Sequence, residues 1–171
     1  MLSAHLPAGY LVARAWPRPR PGLGPGIMAA ALAGAMFPDL DMAWWYVVDH
    51  GWVHHHEYWT HTPAAWGLVG GIGLLGLRRA APKAVPLAAV FLVSIFVHLI
   101  LDSMVGAIGW LWPWDDRPYA LFDVPPTRSH WVWSFMLHWT FLAEVAIWFA
   151  ALGLLLRNRS RTRHAVAGDP A

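Results

Sequence analysis

The chain has 171 residues, of which 57% are hydrophobic, thirteen are tryptophan and only 13% are charged. In an ordinary soluble domain about 25% of residues are charged, so this composition excludes that class. It predicts an integral membrane protein. No cysteine is present, so disulfides and thiolate ligands are excluded, and any metal ion must be held by nitrogen and oxygen.

Five apolar stretches follow one another along the chain, at residues 2–13, 27–48, 64–77, 86–105 and 131–156. Crossing the hydrocarbon takes about 20 apolar residues, so the first and third stretches are short for a full crossing. We therefore predict an all-α fold, a polytopic membrane helical bundle of about five transmembrane or partly inserted helices. Proline and glycine at residues 17–26 predict a linker, and residues 80–86 predict a second turn.

Ten of the twelve basic residues lie in three regions of the chain. They are Arg14, Arg18 and Arg20, then Arg78, Arg79 and Lys83, then Arg157, Arg159, Arg161 and Arg163. Because cytoplasmic loops are enriched in Lys and Arg, we place these regions in the cytoplasm and the other two loops outside an inner membrane. The predicted domains are a membrane metal-site domain at residues 1–156 and a basic, disordered cytoplasmic tail at residues 157–171. No nucleic-acid partner is expected.

Two carboxylates, Asp39 and Asp41, interrupt the second stretch in the segment MFPDLDM. Pro38 breaks the helix there, so the carboxylates can project from the break instead of facing lipid. Ionisable residues inside a membrane are costly and functional by default. The alternative is a helix end at an interface, where carboxylates and the neighbouring Trp44 and Trp45 are tolerated.

Residues 51–63, GWVHHHEYWTHTP, hold four of the ten histidines together with Glu57. Histidines beside a carboxylate can bind a divalent cation or shuttle protons, and both chemistries stay open. The segment is not the His-Glu-x-x-His helix of zinc proteases, because His61 follows His56 and Glu57 one position too late. A shared metal ion therefore needs a bend or loop between the two histidines. The alternative is a solvated histidine-rich loop.

His98 and Asp102 lie four residues apart in the otherwise apolar segment FVHLILDSM. This spacing places both side chains on one helical face about 6 Å apart, as a shared metal ion or an aspartate-oriented imidazole requires. Counted from the inner end of each stretch, His98 and Asp39 lie at the same depth, and His5 can reach that level. The sequence predicts that these residues meet.

Taken in order, these motifs resemble the YdjM-like membrane-bound metal-dependent hydrolases. The resemblance covers about residues 1–115 and rests on an early histidine, then FPDLD, HEYWTHT and FVHLILD followed by WLWPW. That family is similar to zinc-dependent phospholipase C and to single-strand-specific zinc nucleases, which hydrolyse phosphate esters with His and Asp ligands. The metal ligands that the resemblance implies are His5, Asp39, His56, His61, His98 and Asp102. It also implies Asp41 as a further ligand or base, and the chain departs from the family at Glu57, where an arginine is expected.

The sequence therefore predicts a membrane hydrolase that acts on an ester or phosphoester, a lipid among them, at the outer face. We expect one or two divalent ions, with zinc the first choice and manganese or iron as alternatives. Asp41 and Glu57 are the candidate catalytic bases. The expected partners are membrane lipids and a small-molecule or lipid substrate.

The alternative of a different class is a haem- or metal-binding or transport protein without hydrolytic activity. One ground is the Trp-rich segment that ends in WPWDD, which is similar to segments of haem-handling membrane proteins. The other is that His and Asp residues inside a membrane also line metal permeation paths. The same segment can form an aromatic belt at the outer interface or a lid over the site. Glu144, in the last stretch, is expected to pair with a neighbouring helix.

Overall fold

A computed structural model describes residues 1, 3–17 and 22–167, with side chains to residue 160. Over that part of the chain the regular elements are helical, apart from one antiparallel bridge between Ile108 and Tyr119. The α-helices are α1 (His5–Ala15), α2 (Gly24–Met36), α3 (Asp41–Trp44), α4 (Pro63–Ala80), α5 (Val85–Asp102), α6 (Trp131–Met136) and α7 (Phe141–Ala167). The predicted all-α class is confirmed.

Proline and the apolar runs explain where the long helices begin. Helices α2, α4 and α5 each carry a proline in the first turn. Backbone N–H groups in the first turn make no hydrogen bond within the helix, so the N–H that proline lacks is not needed there. A 3-10 turn at Pro82–Ala84 separates α4 from α5, as predicted for residues 80–86. The linker predicted at residues 17–26 lies partly outside the described residues, and α2 already begins at Gly24.

Length and composition support fewer membrane crossings than five. Two helical segments are long and apolar enough to cross, Pro82–Asp102 and Phe141–Ser160, and a third candidate joins Gly24–Met36 to Pro38–Asp49 through a 55° bend. Helix α1 has only 11 residues, and α4, with 18 residues, contains five glycines and two arginines that lower its hydropathy. The described residues thus form a helical membrane protein with two or three candidate spans, and five full crossings are not shown.

The second apolar stretch breaks where Pro38 was predicted to interrupt it. Helix α2 ends at Met36, and Pro38 opens the 3-10 turn Pro38–Leu40. The chain then continues through α3 and a π-helical segment, Trp45–Asp49. Proline lacks the N–H and its ring clashes with the preceding turn, which explains the break. The break places Asp39 and Asp41 beyond the end of α2, in the 3-10 turn and at the start of α3.

Small residues on α2 allow it to pack closely on α1 and α5. Ala31, Gly34 and Ala35 are all buried, and the Cα of Gly34 lies against the backbone of Phe91 in α5. Gly9 of α1 lies against Ala35 in the same way. Small residues commonly let helices approach in membranes, where apolar side chains gain little from leaving lipid. This close packing sets the distance between the ends of α2 and α5.

A second apolar cluster ties α4 to α5. Trp66 packs with Ile95 and Leu99, and its indole N–H donates to the backbone oxygen of Thr60 at 2.7 Å. That bond connects the histidine-rich segment to the first turn of α4. The segment is therefore anchored by a buried aromatic residue instead of extending into solvent.

The last apolar stretch forms two helices. Helix α6 ends at Met136, and α7 begins at Phe141 and runs to Ala167. Helix α7 therefore continues beyond residue 156, which the sequence predicted to be the end of the membrane domain. Residues 168–171 lie outside the described part of the chain.

Candidate metal centre

The predicted ligands meet at one end of the bundle, because the helices that carry them alternate in direction. His5 opens α1 and His61 precedes α4, while Asp39 follows α2 and Asp102 ends α5. The beginnings of two helices and the ends of two others therefore lie together. All six residues predicted as ligands lie in this cluster of contacts: His5, Asp39, His56, His61, His98 and Asp102.

Four of these residues form what we call the inner group: Asp39, His61, His98 and Asp102. One ligand atom from each lies within 4.8 Å of the others. His98 Nε2 is 2.9 Å from Asp102 Oδ2 and 3.5 Å from Asp39 Oδ1. His61 Nε2 is 3.7 Å from each of the same two oxygens. The inner group presents two nitrogen and two oxygen donors to one point.

The inner group fits a divalent cation because three of its four facing atoms have no hydrogen-bond partner. His61 Nε2, His98 Nε2 and Asp102 Oδ2 are buried and none has a hydrogen-bond partner. Each such atom costs about 1–3 kcal/mol if it stays unsatisfied. One cation would satisfy all of them, and a mixed set of imidazole and carboxylate donors suits zinc, manganese or iron.

Hydrogen bonds at the Nδ1 atoms of His61 and His98 fix the orientation of both imidazole rings. His98 Nδ1 donates to the backbone oxygen of Ala35 at 2.8 Å, and His61 Nδ1 lies 2.8 Å from Asp41 Oδ2. A carbonyl and a carboxylate can only accept, so both Nδ1 atoms carry a proton, and each Nε2 atom is the one that would bind a cation in its deprotonated form. Asp41 also accepts from the Thr60 hydroxyl. This is the arrangement by which carboxylates and carbonyls position metal-binding histidines.

His5 and Met1 contact the other oxygen of Asp102. His5 Nε2 and the amino group of Met1 lie 3.1 Å and 2.6 Å from Asp102 Oδ1. The ring of His5 also stacks on that of His98 at a centroid distance of 3.8 Å. Asp102 therefore connects His5 to the inner group through its two carboxylate oxygens.

Glu144 holds the segment that leads into α1. The carboxylate is fully buried and its Oε2 accepts from the N–H of Ser3 at 3.0 Å and from the Ser3 hydroxyl at 2.8 Å. The indole N–H of Trp148 donates to that hydroxyl at 3.1 Å. Glu144 was expected to pair with a neighbouring helix, and it binds Ser3 in the segment just before α1, two residues ahead of His5.

Two further histidines of residues 51–63, His55 and His56, lie beside His61 with ring centroids 5.2 Å and 4.9 Å from it. His56 Nε2 is 3.7 Å from Asp102 Oδ2, and His55 Nδ1 is 3.8 Å from Asp41 Oδ1. Sequence reasoning missed His55 and Thr60. Three adjacent histidines offer no periodic signal that separates them, because the short 3-10 turn His55–Glu57 decides which rings point inward.

Negative charge dominates the surroundings of His61. Burial lowers the pKa of His61, but contacts with Asp39 and Asp41 outweigh that effect and raise the pKa to about 9. By contrast, burial lowers the pKa of His56 to about 2, although Asp102 opposes the shift. The carboxylates thus favour positive charge at His61, which is where a bound cation would lie.

The two candidate catalytic bases differ in position. Asp41 contacts His61 and lies within the cluster, whereas the side chain of Glu57 is exposed and lies outside the inner group. A proton-accepting role for either residue stays a prediction. Of the two, only Asp41 contacts His61, at the ring nitrogen that does not face Asp39 and Asp102.

Comparison with known proteins gives a family match along most of the chain. The family model for YdjM inner membrane proteins matches residues 1–166. Inner membrane protein YbcI of Escherichia coli strain K12 is 31% identical over 111 residues, which cover 60% of this chain and 64% of that protein. The chain therefore spans somewhat less than two-thirds of the relative's length. No solved structure matches. Both descriptions name an inner membrane protein, and neither states an activity.

Proposed function

Because the chain belongs to the YdjM family of inner membrane proteins, we propose that it is a metal-dependent membrane hydrolase that cleaves an ester or phosphoester. The observation that carries this proposal is the convergence of Asp39, His61, His98 and Asp102, with three facing atoms buried and unpartnered. A bound divalent ion would lower the pKa of a water molecule and polarise the scissile group.

Four side chains would hold the ion, and zinc is the first choice. His61 and His98 offer Nε2 atoms, while Asp39 and Asp102 offer carboxylate oxygens. His5 would keep the other oxygen of Asp102 in place from 3.1 Å. Manganese and iron are the alternatives, because half of the donors are oxygen.

Asp41 is the residue best placed to move a proton. Its Oδ2 stays engaged with His61 Nδ1 at 2.8 Å, while its Oδ1 is buried and has no hydrogen-bond partner. Asp41 can therefore accept a proton at Oδ1 and still orient His61 through Oδ2. Asp39 is the most exposed member of the inner group, with 22% of its side chain accessible, so water and substrate would approach beside it.

The position of the site favours an amphiphilic substrate. The inner group lies where the span Pro82–Asp102 ends and where the bent pair Gly24–Met36 and Pro38–Asp49 turns. Exposed tryptophans surround the connecting segments on this side, among them Trp44, Trp52 and Trp59. Tryptophan is enriched at the headgroup level of membranes, so a lipid ester can reach the site laterally.

Elemental analysis and a hydrolysis panel test this proposal. Detergent-purified protein is expected to be colourless, to retain a divalent ion and to cleave an aryl ester or phosphodiester in a panel of such substrates. A chelator should abolish cleavage, and zinc or manganese should restore it. His130→Ala is the matched control, because His130 is exposed and lies outside the metal cluster. A Soret band without bound metal would support the haem-handling alternative, and bound metal without cleavage would support a metal-binding or transport role.

The orientation of the chain is a separate prediction. Arg14, Arg78 and Arg79 lie in the last turns of α1 and α4, at the helix ends opposite the metal cluster. Since basic residues favour the cytoplasmic side, we propose that the metal cluster faces outward and the end of α7 faces inward. Single cysteines at Val53 and Ser160 test this in a chain without native cysteine. An impermeant thiol reagent should label intact cells at position 53 and not at 160, and the reverse pattern would overturn the topology.

A further inference from the structure

A buried carboxylate on α7 binds the segment that precedes α1. Glu144 lies in the candidate span Phe141–Ser160, and none of its surface is exposed. Ionisable side chains are costly inside a membrane, where they pair with other groups and usually serve a function. Glu144 Oε2 accepts two hydrogen bonds from Ser3, one from the backbone N–H at 3.0 Å and one from the hydroxyl at 2.8 Å. The proposed hydrolysis assigns no role to this carboxylate.

Ser3 lies midway along the chain between two groups that contact the same oxygen of Asp102. The amino group of Met1 is 2.6 Å from Asp102 Oδ1, and His5 Nε2 is 3.1 Å from it. The other oxygen, Asp102 Oδ2, faces the imidazoles of the inner group. A contact that fixes Ser3 therefore acts on the orientation of the Asp102 carboxylate.

The contacts of His5 itself do not fix its ring. Among the described residues neither ring nitrogen of His5 has a hydrogen-bond partner, whereas His61 and His98 are each oriented by a hydrogen bond at Nδ1. Stacking on the His98 ring sets the plane of the His5 ring but not the direction of its nitrogen atoms. Helix α1 begins after Ala4 without a side-chain cap, and its close packing on α2 at Gly9 lies one turn later. The position of His5 therefore depends on the segment before it.

We propose that Glu144 is a positioning residue for the inner group, on which it acts through Ser3, His5 and Asp102. With Ser3 held on Glu144, His5 lies against Asp102 Oδ1, and Asp102 Oδ2 is left to face a cation. The indole N–H of Trp148, one turn further along α7, donates to the Ser3 hydroxyl at 3.1 Å, so this hydroxyl contacts two residues of α7. This role rests on the proposed function in taking the inner group as a metal site. It makes α7, which carries none of the six predicted ligands, a part of the metal centre.

Cobalt(II) titration of the detergent-purified full chain tests the proposal, with affinity measured by equilibrium dialysis and ligand geometry by the visible absorption of the bound ion. Glu144→Leu removes the acceptor and should weaken cobalt binding roughly 10- to 100-fold, the usual cost of losing a group that orients a metal ligand. Glu144→Gln keeps an oxygen that can accept from Ser3, so it should bind cobalt more tightly than Glu144→Leu and keep the wild-type spectrum. Equal losses in these two variants would contradict the positioning role.

Ala151→Gly is the matched control for a general loosening of α7. Ala151 is buried on the same helix, about 10 Å further along its axis than Glu144, and glycine has a lower helix propensity there. Ala151→Gly should lower the melting temperature and keep the cobalt affinity of wild type. If it loses as much affinity as Glu144→Leu does, α7 acts only through stability and the proposal is overturned.

Hydrogen exchange in the metal-free protein gives a second measurement that does not depend on the ion. The amino-terminal peptide of Glu144→Leu should exchange faster than that of wild type, because the Ser3 N–H loses its acceptor. Unchanged exchange, or unchanged cobalt affinity, in Glu144→Leu would overturn the proposal while the proposed function stands. Wild type without bound cobalt would overturn both.

Discussion

Replacement of His98 by alanine is expected to remove the tightly bound metal ion from the protein. His98 Nε2 lies 2.9 Å from Asp102 and 3.5 Å from Asp39, so its loss takes a donor from the middle of the inner group. No thiolate can compensate, because the chain has no cysteine. Metal that survives desalting, measured per folded molecule by elemental analysis, should fall from about one equivalent to background, because only one imidazole and two carboxylates would remain in the inner group.

Thermal stability should change together with the metal. A ligand that binds only the folded state stabilises it, so a chelator should lower the melting temperature of wild type and leave that of His98→Ala unchanged. His138→Ala is the matched control, because His138 pairs locally with the Thr140 hydroxyl at 2.9 Å and lies outside the metal cluster. If His98 only fills the core, His98→Ala will melt lower but keep the metal content of wild type. That result would contradict the metal site.

Replacement of Gly34 by alanine is expected to destabilise the bundle and to weaken metal binding. A β-carbon at Gly34 would overlap the backbone oxygen of Phe91 and lie 2.9 Å from its carbonyl carbon, so α2 or α5 must shift. Forcing an extra carbon into a packed contact typically costs about 1–3 kcal/mol. Asp39 follows α2 and His98 lies one turn before the end of α5, so their 3.5 Å contact should lengthen as well. Melting temperature and cobalt affinity should both fall.

Gly73→Ala is the control for this substitution. Gly73 lies within α4, and a β-carbon there meets nothing within 4 Å. Alanine has the higher helix propensity by roughly 1 kcal/mol, so Gly73→Ala should melt at or slightly above the wild-type temperature with unchanged cobalt affinity. Equal melting temperatures for the two variants would show that the contact of α2 with α5 is loose and would contradict the prediction.

The long-range packing around the site explains why the role of His55 and the partner of Glu144 could not be assigned from sequence. His55 contacts Asp41, fourteen positions earlier in the chain, and Ser3 binds Glu144 across 141 positions. Neither pair is linked by helical or strand periodicity, since each depends on how separate elements dock. Asp41 was predicted as a ligand or base, and its Oδ2 contacts both the Nδ1 of His61 and the Thr60 hydroxyl. Only docking of the histidine-rich segment on α3 creates these contacts.

The number of membrane crossings likewise depended on the folded chain. Five apolar stretches are visible in the sequence, but the first forms an 11-residue helix and the last divides between α6 and α7. Apolar composition reports a preference for a dry environment, which lipid and a packed protein interior both provide. Helix length and bending separate the two environments, and these are properties of the three-dimensional structure.

The sequence by itself determined the helical class, the break at Pro38 and the shared face of His98 and Asp102, because each follows from geometry within a few residues. Matching depths along adjacent stretches further predicted that Asp39 would meet His98, and these side chains lie 3.5 Å apart. Only the tertiary structure decided which of three adjacent histidines face the carboxylates and which atoms remain without hydrogen bonds. Those properties arise where chain segments distant in sequence converge, and local spacing contains no information about the angle at which they meet.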